Sequence, residues 1–210
     1  MIDDQRLVLV DTPGFDDSER SDTQILMLIA EWLERAYVED TLLSGIIFLH
    51  RITDVRMSGS SIKNLRMFRK LCGTDNMSSV RLVTTMWDNV TITDGERREQ
   101  DLIAGNGFWA KEIASGCAVD RHDGTFASAK RVISSLVPKP PVVIQLQKEL
   151  ISGKRLIETD AGSDLNSEII RIKRQHEEDL ATLKEETEIA IQEGKHARFT
   201  MHHECKAPHD

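Results

Sequence analysis

The sequence predicts a three-layer α/β fold, in which a parallel sheet lies between two layers of helices and a long helical tail follows. Short apolar runs alternate with segments of helical periodicity, a pattern typical of parallel βαβ units. Apolar residues make up 40% of the 210-residue chain, which is sufficient for a packed core. After Pro138, Pro140 and Pro141 the strand pattern stops, and a charged sequence of helical character continues.

The first predicted strand is the apolar run Leu7–Val10, because a continuous run of this kind is typical of a strand buried on both faces. It ends in Asp11-Thr12-Pro13-Gly14, whose residue types favour a loop. Ser21 and Gln24 then have the spacing of a capping box, which predicts the start of an amphipathic helix.

Three more strands are predicted, the last of them short: residues 45–49, 80–85 and 117–119. Between the first two of these strands, a helix is expected to end at Gly73. Thr93 and Glu96 predict a second capping box and a helix that continues towards Ile113. Thr125 is a candidate cap for the last helix of this domain.

Charge and cysteine content narrow the classes of function. The formal charge is −8 and the pI is about 5.4, which argues against a general nucleic-acid binder, because phosphate contacts need clustered Lys and Arg. Three widely spaced cysteines are not a disulfide framework, so a reducing compartment is expected. With no signal-peptide pattern and no apolar run of about 20 residues, the sequence predicts a cytoplasmic protein without a transmembrane segment.

The first candidate binding motif is Asp11-Thr12-Pro13-Gly14, at the end of a predicted strand. In α/β sheets, ligands bind beyond the carboxyl ends of the strands. Asp11 can hold a hydrated Mg²⁺ beside phosphates, and the backbone N–H of Gly14 can approach a terminal phosphate. All four positions also suit an ordinary turn, so a plain turn is an equal alternative.

The second candidate motif is Thr85-Met86-Trp87-Asp88, at the end of another predicted strand. The carboxylate of Asp88 can accept two hydrogen bonds from the N1–H and the 2-amino group of guanine, a pair of donors that adenine lacks. Taken alone, Asp88 is better interpreted as a loop or cap residue. The two motifs in this order, each at a strand end, are more specific than either one.

Together the motifs resemble those of the Ras-like P-loop GTPases, in which a switch motif precedes a base-recognition motif. Asp-Thr-Pro-Gly-Phe, the stretch His50-Arg51-Ile52 and Thr-Met-Trp-Asp are similar to the septin-like and immunity-associated branch of the fungal type. The resemblance covers residues 7–137 and implies an incomplete G domain that binds GTP or GDP with Mg²⁺. His50 itself is interpreted as a structural residue at a strand end.

The resemblance also implies roles for individual residues. Asp11 would be the water-mediated Mg²⁺ ligand, and Gly14 would meet the γ-phosphate. Thr85 and Asp88 would form the guanine-binding motif. The loop that begins Arg121-His122 and continues through Asp123 and Gly124 would close over the base.

The chain departs from the family pattern in several places. Ser128-Ala129-Lys130 matches a base-contacting tripeptide by composition but lies far past the strand, so it ranks below the Arg121 loop. Met86 replaces a lysine that packs on the base, and Phe15 stands where Ras-type enzymes have a water-orienting Gln. No Gly-x-x-x-x-Gly-Lys-Ser/Thr stretch occurs in the chain, so little or no hydrolysis is expected.

The missing phosphate loop predicts that the chain is a fragment. In the family, that loop and a central strand would lie upstream of Met1. We therefore expect Met1 to be an internal methionine of a longer gene, or the gene to be a decayed copy. Without the central strand, the strands predicted at Leu7–Val10 and at 45–49 would each expose an unpaired edge.

Four divisions of the chain are expected: a partial G domain at 1–137, a proline-rich linker at 138–142, a helical or coiled-coil tail at 143–198 and a disordered C-terminus at 199–210. The tail carries an apolar stripe from Leu165 to Ala190, with a stutter in its heptad spacing. Such a stripe suits self-association or binding of an effector. A solvated helix with no fixed partner is the alternative.

Two functions are compatible with the sequence. The first is a guanine-nucleotide-binding domain of the GTPase type, with GTP or GDP and Mg²⁺ as ligands and a helical arm for an effector. The alternative is a nucleotide-free scaffold that acts through its helical tail. Whether the chain is an enzyme stays open, because the family hydrolyses GTP but this chain lacks the phosphate loop.

Overall fold

The computed structural model describes residues 6–15, 17, 19–55, 57–165, 174, 177–184 and 187. The chain divides into two compact units, the first ending at Leu165 and the second beginning at Asn166. In the second unit, residues 177–184 are helical. Most of the predicted heptad stripe, and the C-terminus expected to be disordered, lie outside the described residues.

A parallel sheet with the strand order β1–β2–β3 lies in the first unit; its strands are Ile46–Arg51, Val80–Thr85 and Ala118–Arg121. The central strand β2 is buried along most of its length, whereas the flanking strands are mostly half-buried. His50 pairs with Thr84, and Thr84 pairs with Arg121. This register brings the polar residues that follow the three strands to the same edge of the sheet.

Helices precede, connect and follow the strands: α1 (Asp22–Val38), α2 (Gly59–Cys72), α3 (Ile92–Ile103), α4 (Ala110–Ala114), α5 (Phe126–Ser134) and α6 (Gln145–Ile151). Short 3-10 helices occupy Thr74–Ser79, Trp87–Asn89 and Leu156–Glu158. Within the described ranges, no helix is both long and apolar enough to cross a membrane. The fold is therefore mixed α/β, with a small parallel sheet among many helices.

Several helix ends lie where local residue chemistry predicts them. The capping box at Ser21 and Gln24 is confirmed, since the Ser21 hydroxyl accepts from the Gln24 backbone N–H at 3.3 Å and the Gln24 side chain accepts in return at 3.0 Å. Gly73 ends α2 with a φ of 76°, a conformation that glycine adopts without a Cβ penalty. Thr125 caps α5 through its hydroxyl, which accepts from the Ser128 N–H.

The capping box predicted at Thr93 and Glu96 is wrong. The N-cap of α3 is Thr91, whose hydroxyl accepts a hydrogen bond from the Asp94 backbone N–H at 3.2 Å. Thr91 lies earlier in the chain and already has the extended backbone of a cap, so the helix starts before the predicted box. The helix also ends at Ile103 rather than continuing to Ile113, which belongs to the separate helix α4.

The strand predicted at Leu7–Val10 is also wrong. These residues form no strand, and the side chains of Val8 and Leu9 are 73% and 70% exposed. The run borders a groove of about 280 Å³ that also contacts Gly45 and Ile47, so empty space separates it from the free edge of β1. An apolar run becomes a strand only where a neighbouring strand pairs with it. No described strand takes that place, and the sheet has three strands instead of four.

The first compact unit extends past the prolines that suggested a domain boundary. The Val142 backbone N–H donates to the Leu43 carbonyl at 2.8 Å. Ile144 and Leu146 are almost fully buried, and the Gln147 side chain donates to the Leu33 carbonyl of α1 at 3.0 Å. The tail expected from residue 143 therefore begins inside the first compact unit, where α6 packs on α1 and α2 as part of the core.

Candidate functional site

The chain turns sharply where β2 ends. Met86 has a left-handed backbone, with φ 63° and ψ 34°, which is uncommon for a residue that carries a side chain. The turn directs Trp87 inward, where its indole N–H donates to the Thr84 hydroxyl at 3.0 Å. Asp88 follows in the 3-10 helix and is exposed. The left-handed backbone at Met86 therefore places the Trp87 side chain inside the fold and leaves the Asp88 carboxylate exposed.

Arg121 at the end of β3 is held by Glu99 and Trp87, with a weaker ion pair to Glu96 at 3.8 Å. Its Nε donates to both carboxylate oxygens of Glu99, at 2.9 and 3.0 Å, and its Nη2 donates to the same group. The guanidinium carbon lies 4.3 Å from the centre of the Trp87 ring, a cation–π contact. The hydrogen bonds to Glu99 raise the pKa of Arg121, which stays charged. Its side chain is therefore engaged within the protein.

The loop that follows Arg121 is ordered by short-range hydrogen bonds. His122 Nδ1 lies 2.8 Å from the Ser128 hydroxyl. Asp123 accepts from the Thr125 backbone N–H at 3.0 Å and from its hydroxyl at 2.6 Å. Hydrogen bonding with the Ser128 and Thr125 side chains holds the pKa of Asp123 well below its usual range. Asp123 is thus a carboxylate that stabilises its own loop.

Four of the six predicted site residues lie at one edge of the sheet. Thr85 is the last residue of β2, and Asp88 lies three residues further along. Arg121 is the last residue of β3, and His122 follows it. The two strand ends are joined there, because the His122 backbone N–H donates to the Thr84 carbonyl at 2.8 Å. The structure thus brings these four predicted residues to one edge of the sheet, where the Arg121 guanidinium is held by Glu99.

Asp11 and Gly14 lie elsewhere, in an exposed segment without regular structure. Among the described residues, the end of this segment is held only at Phe15. The Phe15 carbonyl accepts a hydrogen bond from the Asn64 side chain at 3.2 Å. A Cβ on Gly14 would meet nothing within 4 Å, so the residue lies in open space. No described hydrogen bond or ion pair joins Asp11 or Gly14 to the cluster at β2 and β3.

The side chains that the structure describes do not by themselves form a Mg²⁺ site. Over the described ranges, no three His, Cys, Asp or Glu side chains come together as metal ligands. Asp11 is exposed and has no second carboxylate as a described partner. A binding proposal for the cluster at β2 and β3 therefore has to rest on its protein side chains alone.

Sequence reasoning missed a cavity of about 440 Å³ beyond the end of β1. Its walls come from His50, from the segment after β1 and from the second half of α3. These residues share no motif, and the only signal in the sequence is a histidine at the end of a strand. Asp88 lines neither this cavity nor the groove beside β1.

The fold and the cluster thus define an α/β chain with a polar edge at the carboxyl ends of its parallel strands. No protein-family model matches the chain, and no curated protein sequence matches it significantly. The likeness to GTPases rests on the motifs.

Proposed function

We propose that this chain recognises a guanine base at the carboxyl ends of β2 and β3, with Asp88 as the residue that specifies the base. The observation that supports this proposal is the state of Asp88. Its side chain is exposed at the end of the central buried strand, and no described residue forms a hydrogen bond or ion pair with it. Ligands of α/β sheets bind at this edge.

The chemistry of recognition follows from the carboxylate. Its two oxygens can accept from the N1–H and the 2-amino group of guanine together, whereas adenine offers no such pair. The side chain of Met86 is 46% exposed beside it and can provide an apolar contact for the base. The loop after Arg121 would contribute backbone groups and His122, because the Arg121 guanidinium is held by Glu99.

The expected affinity is low. One exposed bidentate contact has to offset the cost of ordering the ligand, and no phosphate-binding motif of the sequence adds to it. We expect a dissociation constant of about 1 mM, which corresponds to about −4 kcal/mol. No hydrolysis forms part of this proposal.

A nucleotide-free scaffold is the second candidate, and a specific observation favours it. The Arg121 side chain is bound to Glu99 and packs on Trp87. This is expected if these side chains stabilise the fold and no longer bind a ligand. In a scaffold, the exposed carboxylate of Asp88 would have no ligand. The two candidates therefore differ in whether a guanine nucleotide contacts this edge.

The test is a titration of the isotope-labelled chain with GMP and, separately, AMP, followed by amide NMR shifts. We expect GMP to shift the amides of residues 85–90 and 122–125, and AMP to leave them unchanged. Asp88→Asn should weaken GMP and strengthen XMP, because the amide donates to the 2-oxo group of xanthine. Asp40→Asn is the matched control: it removes an exposed carboxylate before β1, at a φ of 53° that Asn tolerates.

Each outcome decides between the candidates. Equal shifts with GMP in the wild type and in Asp88→Asn would remove Asp88 from the site. No shift in the two segments at millimolar GMP would leave the scaffold as the better interpretation.

A further inference from the structure

A cavity lies near the cluster at β2 and β3, at the end of the neighbouring strand β1. Its volume of about 440 Å³ is within the range of small-molecule sites, about 300–1,000 Å³. One wall is His50 and the segment that follows β1, and the opposite wall is the second half of α3 with the residues up to Phe108. No residue of the proposed guanine site lines it.

His50 is a buried polar side chain of this cavity that lacks a partner, and the Nε of Arg98 is a further buried atom of the lining without one. Its side chain is only 9% exposed, and neither ring nitrogen forms a hydrogen bond with a described residue. The ring is held in place by Trp109, with an edge-to-face contact at 5.8 Å between centroids. Burial lowers the pKa of His50, so the neutral ring offers one donor and one acceptor nitrogen. Buried polar groups are normally hydrogen-bonded, and this one borders open space.

The charge of the described lining favours a cation over an anion. Two carboxylates, Asp54 and Asp101, line the cavity together with one guanidinium, that of Arg98. Arg98 uses its Nη1 to donate to the carbonyls of Ile52 and Thr53, each at 3.0 Å. The guanidinium therefore fixes the loop after β1. Asp54 pairs with Arg51 at 3.5 Å, whereas no described residue pairs with Asp101, so Asp101 is the carboxylate left to interact with a ligand.

The rest of the lining is apolar, including Ile52, Met57, Leu102 and Phe108. A purely apolar ligand would leave His50 without a partner, and a carboxylic acid would meet two carboxylates. We propose that this cavity binds a small amphipathic amine, whose apolar body packs on Leu102 and Phe108. Its ammonium group donates to the carboxylate of Asp101 and to the lone pair of His50.

The test uses three probes of similar shape on the full chain: 2-phenylethylammonium, 2-phenylethanol and phenylacetate. Calorimetric titration should show the strongest binding for the ammonium. We expect the alcohol to bind about tenfold more weakly, because it lacks the charge-assisted hydrogen bonds. Phenylacetate should not bind detectably. Amide shifts in residues 50–57 and 98–108 would locate the ammonium probe in the cavity.

Three variants assign the contacts. His50→Phe keeps an aromatic ring beside Trp109 and should weaken the ammonium about tenfold, since one hydrogen bond is lost. Asp101→Asn changes an exposed side chain, so it should fold normally and should also weaken the ammonium. Asp40→Asn removes a carboxylate away from the cavity and should bind the ammonium as the wild type does.

Specific results would overturn the proposal. Equal affinity for all three probes would show an apolar cavity without selection for charge. No binding of the ammonium to the wild type would mean that water alone satisfies His50. Either result leaves the guanine titration unaffected, because the two sites share no residue.

Discussion

Arg121 shows how a single residue can belong to a predicted site and yet have a different role. The resemblance to GTPases implied that the loop beginning at Arg121 closes over a nucleotide base. In the structure its guanidinium joins Glu99, which is nearly buried, to the ring of Trp87. The position of Arg121 along the chain was predictable, but its partner was not. Glu99 is 22 residues away and reaches it only because α3 packs beside β3.

We expect Arg121→Ala to destabilise the fold by about 1–2 kcal/mol, because the side chain of Glu99, 8% exposed, loses its ion pair. The loss of stability should be no larger than this, because the side chain of Arg121 is 42% exposed and water screens its ion pair with Glu99. Urea denaturation followed by circular dichroism gives the free energy of unfolding.

The control for this prediction is Arg97→Ala, which removes an exposed partner of Asp94 one turn away. It should change the stability by less than about 0.5 kcal/mol. If Arg121→Ala were as mild as this control, the Arg121–Glu99 pair would contribute nothing to the fold.

At the scale of the elements, α3 is positioned by a glycine. A Cβ on Gly95 would lie 2.6 Å from a ring carbon of Trp87, so the helix approaches that ring as closely as its backbone permits. In an exposed helix interior, Gly→Ala stabilises by about 1 kcal/mol. Here we expect Gly95→Ala to destabilise, by about 1–3 kcal/mol, because the added methyl group overpacks the site.

The matched control is Gly59→Ala at the first residue of α2, where a Cβ would meet nothing within 4 Å. This variant should be neutral or slightly stabilising. Thermal unfolding of both variants gives the comparison. Similar effects of the two substitutions would show that Trp87 does not pack against α3 as described.

The elements also show which parts of the fold were predictable. Helix boundaries at Ser21, Gly73 and Thr125 were predicted because each depends on hydrogen bonds or backbone freedom within a few residues. The failed box at Thr93 shows the limit of such rules, since another threonine nearby had the better geometry. The strand at Leu7–Val10 failed for a different reason: pairing depends on a distant segment of the chain.

At the scale of the whole molecule, the exposed run Leu7–Val10 gives a direct test of the three-stranded sheet. We expect Val8→Ala to change the free energy of unfolding by less than about 0.5 kcal/mol, because the side chain is 73% exposed. Chemical denaturation measures the change.

Val83→Ala is the reference for that experiment, because Val83 lies in β2 with 1% of its side chain exposed. It should cost about 2 kcal/mol. A cost of that size at Val8 as well would indicate that the run is buried in a strand, as the sequence predicted.

The cavity beside β1 could not be predicted from the sequence, because it too depends on how distant segments of the chain pack together. It lies between the loop after β1 and α3, which the hydrogen bonds of Arg98 to the Ile52 and Thr53 carbonyls join. His50 was visible as a histidine at the end of a strand, but its lack of a partner depends on what packs around it. By contrast, Thr85 and Asp88 belong to a motif at the end of a predicted strand, which the sequence shows without any knowledge of packing.

The contact between His50 and Trp109 also gives the molecule an optical property. Trp109 is fully buried, so its indole should emit at short wavelength, and its nearest described aromatic neighbour is the imidazole ring. A protonated imidazole beside an indole quenches its emission, whereas the neutral ring does so much less. Because burial lowers the pKa of His50, quenching of the Trp109 emission should begin only at a pH below the usual range for histidine. The Trp109 part of the fluorescence, obtained as the difference between the wild type and Trp109→Phe because Trp32 and Trp87 also emit, then reports on the charge inside the cavity.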